Sequence, residues 1–423
     1  MSSRPLRRLV AVLACLVVVL LPQPASSART GRADPAGDRA SGPPSWRIFA
    51  PSATNGIRWD DVNKKHWARA AVDYVGATND WMRDYQEIEP GVYPFQPDTL
   101  ESRELFARAL FRAFGTGLVA DPEIAFADLP EDDPFFMAAN VAVAQGWLEA
   151  QDGSFLPDEP VTTRVVHRAL VLVLGLGDLA AGADALHLRD GTTIPTPQGF
   201  GTMLIGMRLG LRYNHDDESL DVTPDSPLSR AEVAWSLYRA ATAPDWVHDS
   251  LAPYATIQLP NLSEHLQRVV QWGVGYVGHA YLWGGEWGEA TPSDYCCGWQ
   301  PQGGFDCSGF TWWLMKRASE GWDNTPPRDY NGWDLPQRSS AQMASLGGHL
   351  KWDEIKAGDL LFYDGDGDGI VDHVDTYIGN GWALNSGSSN AGVTITQVEG
   401  TWYQEHFVHA RRIKAPAPPQ PSA

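Results

Sequence analysis

The chain has 423 residues, 43% of them hydrophobic and 11% aromatic, with 52 acidic against 32 basic side chains and a formal net charge of −20. Such a composition belongs to globular domains with real cores, roughly three by length, and excludes a wholly disordered or fibrous chain. The acidic excess argues against nucleic acid or anionic-membrane binding driven by the overall field, so any anionic ligand would need local arginines.

At the N-terminus, Arg4, Arg7 and Arg8 precede an apolar run from Leu9 to Leu21, and small residues and prolines follow up to Ala28. This is the pattern of a secretory signal peptide over residues 1–28. The run falls short of the roughly 20 apolar residues a spanning helix needs, and no later run is longer, so the expectation is an exported protein with no membrane span after cleavage. Residues 29–55, rich in Ala, Gly, Ser, Pro and Arg, read as a disordered linker because they hold too little apolar surface to fold alone.

Between residues 56 and 242 one pattern recurs: a Pro-Asp loop, then Ser or Thr followed by Arg and an apolar helix. The copies are "FQPDTLESRELFARALFRAFG", "FLPDEPVTTRVVHRALVLVLG" and "VTPDSPLSRAEVAWSLYRAAT". Ser102, Thr163 and Ser229 read as helix N-caps, and Ser229 with Glu232 as a capping box. Arg103, Arg164 and Arg230 lie 61 and 66 residues apart, which divides the stretch into helical repeats at 56–118, 119–176 and 177–242. Capping alone does not explain why arginine follows each cap. With the openings "WDDVNKKHWARAAVDYV" and "FADLPEDDPFFMAANVAVAQGWL", the pattern resembles S-layer homology (SLH) repeats, although the third copy keeps only its second half well. The resemblance implies a pseudo-threefold, all-α module that holds a cell-wall glycopolymer, with Arg103, Arg164 and Arg230 contacting its acidic groups. Residues 243–262 read as a linker.

From Ser263 the composition turns to tryptophan and glycine. "SEHLQRVVQWGVGYVG" reads as a helix capped by Ser263. A second helix opens at Cys307 in "GGFDCSGFTWWLMKRA", and "DLLFY" and "HVDTYIG" read as strands joined by a glycine-rich turn. Residues 414–423 form a Pro-rich tail. Beyond the leader there are three cysteines, Cys296, Cys297 and Cys307, an odd number for an oxidising compartment. The adjacent pair can form a vicinal disulfide or bond elsewhere, and a bond from either to Cys307 would act as a redox latch.

A thiol at a helix start lies where the helix dipole favours its anion, which biases Cys307 towards a nucleophilic thiolate. His373, at the start of a strand, is suited as its base, and Asn385, twelve residues further on, as the group that orients the imidazole. In the same segment, 263–413, stand "AYLWGG", "FDCSGF", "QRSSAQ", "AGDLLFY", "HVDTYIGNG" and "HARRI", in this order. The segment resembles the NlpC family of papain-like cell-wall cysteine peptidases. The resemblance implies an α+β papain-like domain with a central antiparallel sheet, acting on peptidoglycan stem peptides, typically at the bond between γ-linked D-glutamate and the diamino acid. It gives attack to Cys307, proton transfer to His373 and the third place to Asn385. It puts Tyr281 with the Cys307 amide near the oxyanion, Asp306 and Ser308 at the substrate's amino end, and Arg338 at its carboxylate. That chemistry requires no cofactor. The segment departs from the family pattern in Asp375 and Thr376, in Ala280, and in an insertion from Glu286 to Gln302 that carries Cys296 and Cys297.

One further motif, "DGDGDGIVDHVD", fits the oxygen spacing of a calcium loop. The ligands would be Asp364, Asp366, Asp368, the backbone of Ile370, Asp372 and Asp375, with Gly369 at the sharp turn. Its flanks read as strands, so a flexible acidic hairpin turn is the other reading. The sequence as a whole reads as a multidomain, exported, wall-anchored cysteine endopeptidase. A thiol amidase or acyltransferase on the same constellation, or a non-catalytic wall-binding or surface-layer protein, are the competing classes.

Overall fold

The structure is a computed structural model that describes residues 55–287, 303–315, 335 and 337–413. The signal peptide, nearly all of the first linker, the Pro-rich tail, and Cys296 and Cys297 of the insertion lie outside the described residues.

The N-terminal half is built on seven helices among the described residues. They are α1 (Arg69–Val72, running on as a wider π-helical turn over Asp73–Thr78), α2 (Arg103–Phe114), α3 (Phe136–Ala144), α4 (Thr163–Val173), α5 (Gly177–Ala183), α6 (Phe200–Arg208) and α7 (Arg230–Thr242). The helices close a cycle: α2 packs on α3, α4 on α6, and α7 back on α1. At the centre of this cycle three backbone hydrogen bonds close a triangle. Glu101 N–H donates to Leu228 at 3.0 Å, Leu228 N–H to Val161 at 2.8 Å, and Val161 N–H to Glu101 at 2.9 Å. Each vertex is followed by a cap whose side chain accepts the backbone N–H three residues on, Ser102 from Leu105, Thr162 from Val165 and Ser229 from Glu232.

The triangle fixes the repeat register and corrects one expectation. The second cap is Thr162, not Thr163, so Thr163 occupies the place of Arg103 and Arg230, and Arg164 stands one residue further along its helix. The module is also not purely helical. Strand β1 (Arg58–Trp59) pairs in parallel with β2 (Val92–Tyr93), and β3 (Leu186–Leu188) lies between β4 (Thr193–Ile194) and β5 (Ile257–Leu259). Strand β5 and helix α8 (Asp245–Ser250) belong to the stretch expected to be a linker. That stretch buries Val247, Leu251, Tyr254, Ile257 and Leu259, whose spacing of three to four and then two residues is that of a packed helix followed by a strand.

In the C-terminal half, α9 (Glu264–Gly275), capped by Ser263, leads to the short hairpin partners β6 (Glu286–Trp287) and β7 (Gly304–Phe305), then to α10 (Cys307–Met315) and α11 (Ser340–Ala344). A five-stranded antiparallel sheet completes this half: β8 (Leu360–Tyr363), β9 (His373–Gly379), β10 (Trp382–Gly387), β11 (Gly392–Gln397) and, after α12 (Trp402–Glu405), β12 (Phe407–Arg411). The strand order is β11-β10-β9-β8-β12. Phe362, Val374, Leu384 and Ile395 join the core shared with α9 and α10, while Leu361, Tyr363, Tyr377 and Ala383 pack with Trp402 and Tyr403. Because both faces are covered, β9 and β10 are buried along their whole length. Among the described residues no helix is long and apolar enough to cross a membrane.

Candidate active site

Cys307 is the first residue of α10, and the turn before it is tightly held. Asp306 acts as the cap: its Oδ1 accepts the Gly309 N–H and, at 3.0 Å, the Ser308 hydroxyl, while its Oδ2 accepts the Gly284 N–H at 3.0 Å. A Cβ on Gly309 would lie 1.8 Å from the Gly285 carbonyl oxygen, so only glycine lets this helix end seat on the Gly284–Gly285 turn. The Cys307 side chain is a thiol, and the residue is 7% exposed. Its Sγ lies 3.9 Å from the carbonyl oxygen of Asp372, the residue before His373. The positive end of α10 favours the thiolate there.

His373 opens β9 and is wholly buried. Its Nε2 is 3.0 Å from Asp375 Oδ1 and 3.0 Å from Asn385 Nδ2. Asn385 Nδ2 also lies 2.8 Å from Asp375 Oδ1 and 3.2 Å from the Tyr403 hydroxyl. An ionised carboxylate only accepts, so the ring nitrogen facing Asp375 carries the proton, and the two Asn385 amide protons serve Asp375 and Tyr403. With the proton on Nε2, Nδ1 is the basic nitrogen of the ring. Tyr363, whose ring centroid is 5.7 Å from that of His373, stays protonated, its pKa raised well above the usual phenol value by burial and by the charge of Asp375.

Asn385 thus lies against His373 Nε2 as expected, and Asp375, which sequence reasoning did not place there, reaches the same nitrogen and is itself held by Asn385. The signal was present in the sequence: alternate residues of a strand share a face, so His373 and Asp375 at the start of a strand point the same way. Reading Asp375 as a loop ligand hid it. In the loop itself, Asp364, Asp366 and Asp372 bring carboxylate oxygens within 4.8 Å of one another. Asp375 is buried beside His373 instead, Asp368 accepts the Ile370 N–H at 2.9 Å, and Ile370 is 61% exposed.

Of the expected substrate-binding residues, Asp306, Ser308 and Arg338 are gathered at the cysteine turn, where they bind each other. Arg338 pairs with Glu286 through Nε, donates from Nη1 to Asp306 at 3.1 Å and to Ser308 at 2.9 Å, and donates from Nη2 to the Gly284 carbonyl at 3.0 Å. Burial disfavours its charge, but Asp306 and Glu286 more than offset this and hold its pKa above the ordinary arginine value. Arg338 is thus a clamp on the cap of α10. Tyr281, 5% exposed, forms a parallel bridge with Phe305, two residues before the thiol.

The three repeat arginines have different surroundings. Arg230 is wholly buried, bonded to Glu101 at 2.6 Å and to Asp84 at 2.9 Å. Arg103, 5% exposed, donates to the carbonyls of Phe155 at 2.8 Å and Glu149 at 2.6 Å. Neither offers a solvent-facing guanidinium to a polymer. Arg164 alone of the three is partly open, its side chain 36% exposed and bound in a fork to Asp225 at 2.8 and 3.1 Å.

The arrangement sets a thiol at a helix start near the residue before a histidine whose Nε2 meets a buried carboxylate, groups that are chemically able to carry acyl transfer through a thioester. Residues 278–412 match the NlpC/P60 family, and this segment is an NlpC/P60 domain. It is 31% identical over 145 residues to gamma-D-glutamyl-L-lysine dipeptidyl-peptidase of Bacillus subtilis, covering 34% of this chain and 40% of that protein. It is 30% identical over 142 residues to murein DD-endopeptidase MepH of Escherichia coli, covering 33% and 43%. The chain thus spans less than half the length of these curated relatives. Among solved structures, an NlpC/P60 family protein from Bacillus cereus is 27% identical, covering 36% of this chain and 41% of that one with a TM-score of 0.27.

Proposed function

We propose that the protein is an exported peptidoglycan hydrolase, a cysteine endopeptidase that cleaves stem peptides between γ-D-glutamate and the diamino acid. The observation that carries the reading is the thiol of Cys307 at the start of α10, set against the strand on which His373 Nε2 is held by Asp375. The names of the two relatives, which concern γ-D-glutamyl-lysine and murein bonds, support the substrate class.

In the proposed reaction Nδ1 of His373 takes the thiol proton as Sγ attacks the carbonyl carbon. The Cys307 amide, at the helix end, stabilises the developing oxyanion, with Tyr281 beside the same turn. The imidazolium then returns the proton to the leaving amine, giving a thioester on Cys307. Water, deprotonated by the same nitrogen, hydrolyses the thioester and regenerates the thiol. Asp375 accepts the Nε2 proton throughout and stabilises the imidazolium. Incubating defined muropeptides with the wild type and with Cys307→Ala tests this: products ending in D-glutamate should form with the wild type alone.

Two further roles belong to the same proposal. The repeat module holds a cell-wall glycopolymer, as the SLH resemblance implies, with Arg164 as its accessible arginine; Arg164→Ala should weaken pelleting with purified walls. A calcium ion binds the Asp364, Asp366 and Asp372 carboxylates and stiffens the turn leading into His373.

A further inference from the structure

The buried network around His373 does not end inside the NlpC/P60 domain. Asn385 Oδ1 accepts from Asn390 Nδ2 at 3.3 Å, and Asn390 Oδ1 accepts from Arg208 Nη1 at 3.1 Å. Arg208 is the last residue of α6, in the repeat module, and α6 packs on β11. The guanidinium also lies over the Tyr254 ring, 5.5 Å from its centroid, and the Tyr254 hydroxyl donates to the Ile395 carbonyl at 3.1 Å. Arg208 is 6% exposed, Asn390 1%, and Asn385 and Asp375 are wholly buried, so water does not compete along the chain.

The polarity of this chain is set by its two ends. Arginine can only donate, so the amide oxygen of Asn390 must face Arg208 and its NH2 must face Asn385. That leaves the Asn385 oxygen as acceptor and its NH2 as donor to Asp375. At the other end the carboxylate can only accept, which fixes the proton on His373 Nε2. An amide can be turned over at little cost in shape, and a turned Asn385 would set its oxygen against the Asp375 carboxylate. Asp375 opposes this from one side, and Arg208, outside the NlpC/P60 domain, opposes it from the other by turning the Asn390 NH2 to the Asn385 oxygen.

We propose that Arg208 is a positioning residue for the active site: through Asn390 and Asn385 it fixes which end of the Asn385 amide faces the Asp375–His373 pair. The repeat module thereby completes the active site of the domain C-terminal to it. The inference rests on the proposed thiol chemistry, yet it concerns the Cys307–His373 pair and not the identity of the peptide cleaved.

The test uses the full-length protein and two variants. Arg208→Met removes the donor. Asn390→Asp keeps the shape and the bond to Arg208 but cannot donate to Asn385, so it covers the case in which the methionine variant fails to fold. The first readout is the pH dependence of Cys307 alkylation by iodoacetamide, followed on the Cys307 peptide by mass spectrometry; the second is kcat and KM on a muropeptide. In the wild type the alkylation limb should lie below the ordinary thiol value of about 8.5. Both variants should move it towards that value by about one pH unit and lower kcat about tenfold or more, with KM within about twofold. Asn380→Gly, which removes a side-chain bond to the Gln258 carbonyl elsewhere between the two halves, should leave both readouts unchanged. Folded variants with the wild-type alkylation profile would overturn the inference. A shifted profile in a protein that cleaves no muropeptide would uphold the relay and sink the endopeptidase reading, while normal cleavage with an unshifted profile would do the reverse.

Discussion

His373 and Asp375 share one face of β9 because they are two residues apart, and the carboxylate meets the far nitrogen of the ring at 3.0 Å. Replacing Asp375 with Asn keeps the shape but removes the acceptor-only carboxylate that holds the proton on that nitrogen and stabilises the imidazolium. Asp375→Asn should cut kcat about 10²- to 10⁴-fold with a nearly unchanged melting temperature; activity close to wild type would show that the carboxylate orients nothing. Cys307 and His373 were legible because a helix start and a strand start can be read from capping and alternation. Asp375 was not, since the acidic run before it offered a competing pattern. A second residue, His167, bears on stability. Burial, and then the charges of Arg212 and Arg164, lower its pKa to about 3, from an ordinary value of 6.5. The unfolded chain therefore takes up a proton between these pH values that the folded chain does not, and stability falls on acidification from about pH 6.5 to 3. His279, lowered to about 4 mainly by burial, acts in the same direction. Urea unfolding followed against pH should show this slope, reduced by about one proton in His167→Gln.

At the scale of elements, two short features place the thiol. One is the seat of α10 on the Gly284–Gly285 turn. Gly309→Ala would drive a methyl group onto the Gly285 carbonyl, and because both partners are backbone there is no side chain to swing aside. A loss of about 1–3 kcal/mol in unfolding free energy is expected, with slower alkylation of Cys307. The other is the β8–β9 hairpin, whose turn carries Asp364, Asp366 and Asp372 immediately before His373. If calcium binds there, chelation should lower both the melting temperature and the activity, and added calcium should restore them; identical melting curves with and without chelator would rule the metal out. The sequence also revealed the repeated caps, but not their register. Thr162 and Thr163 are equally able to cap, and only the backbone triangle of Glu101, Val161 and Leu228 decides between them.

For the molecule as a whole, the repeat module and the NlpC/P60 domain are packed together. Arg212 donates to the Gly278 carbonyl at 3.4 Å, and Glu218 accepts the Trp283 N–H at 2.8 Å. With Arg208 on Asn390, these contacts gather on α6 and the chain after it. None was visible in the sequence, because Arg208 and Asn390 are 182 residues apart and no local pattern joins them. The same blindness made residues 243–262 read as a linker, although their apolar spacing carried the signal of a packed connector. The proposed function requires Cys307 to be the nucleophile of a stem-peptide endopeptidase. The most direct measurement is mass spectrometry of defined muropeptides incubated with reductant and calcium, for the wild type and for Cys307→Ala. New products ending in D-glutamate are predicted from the wild type and none from the variant. Intact muropeptides in both, or equal cleavage in both, would mean that Cys307 is not such a nucleophile.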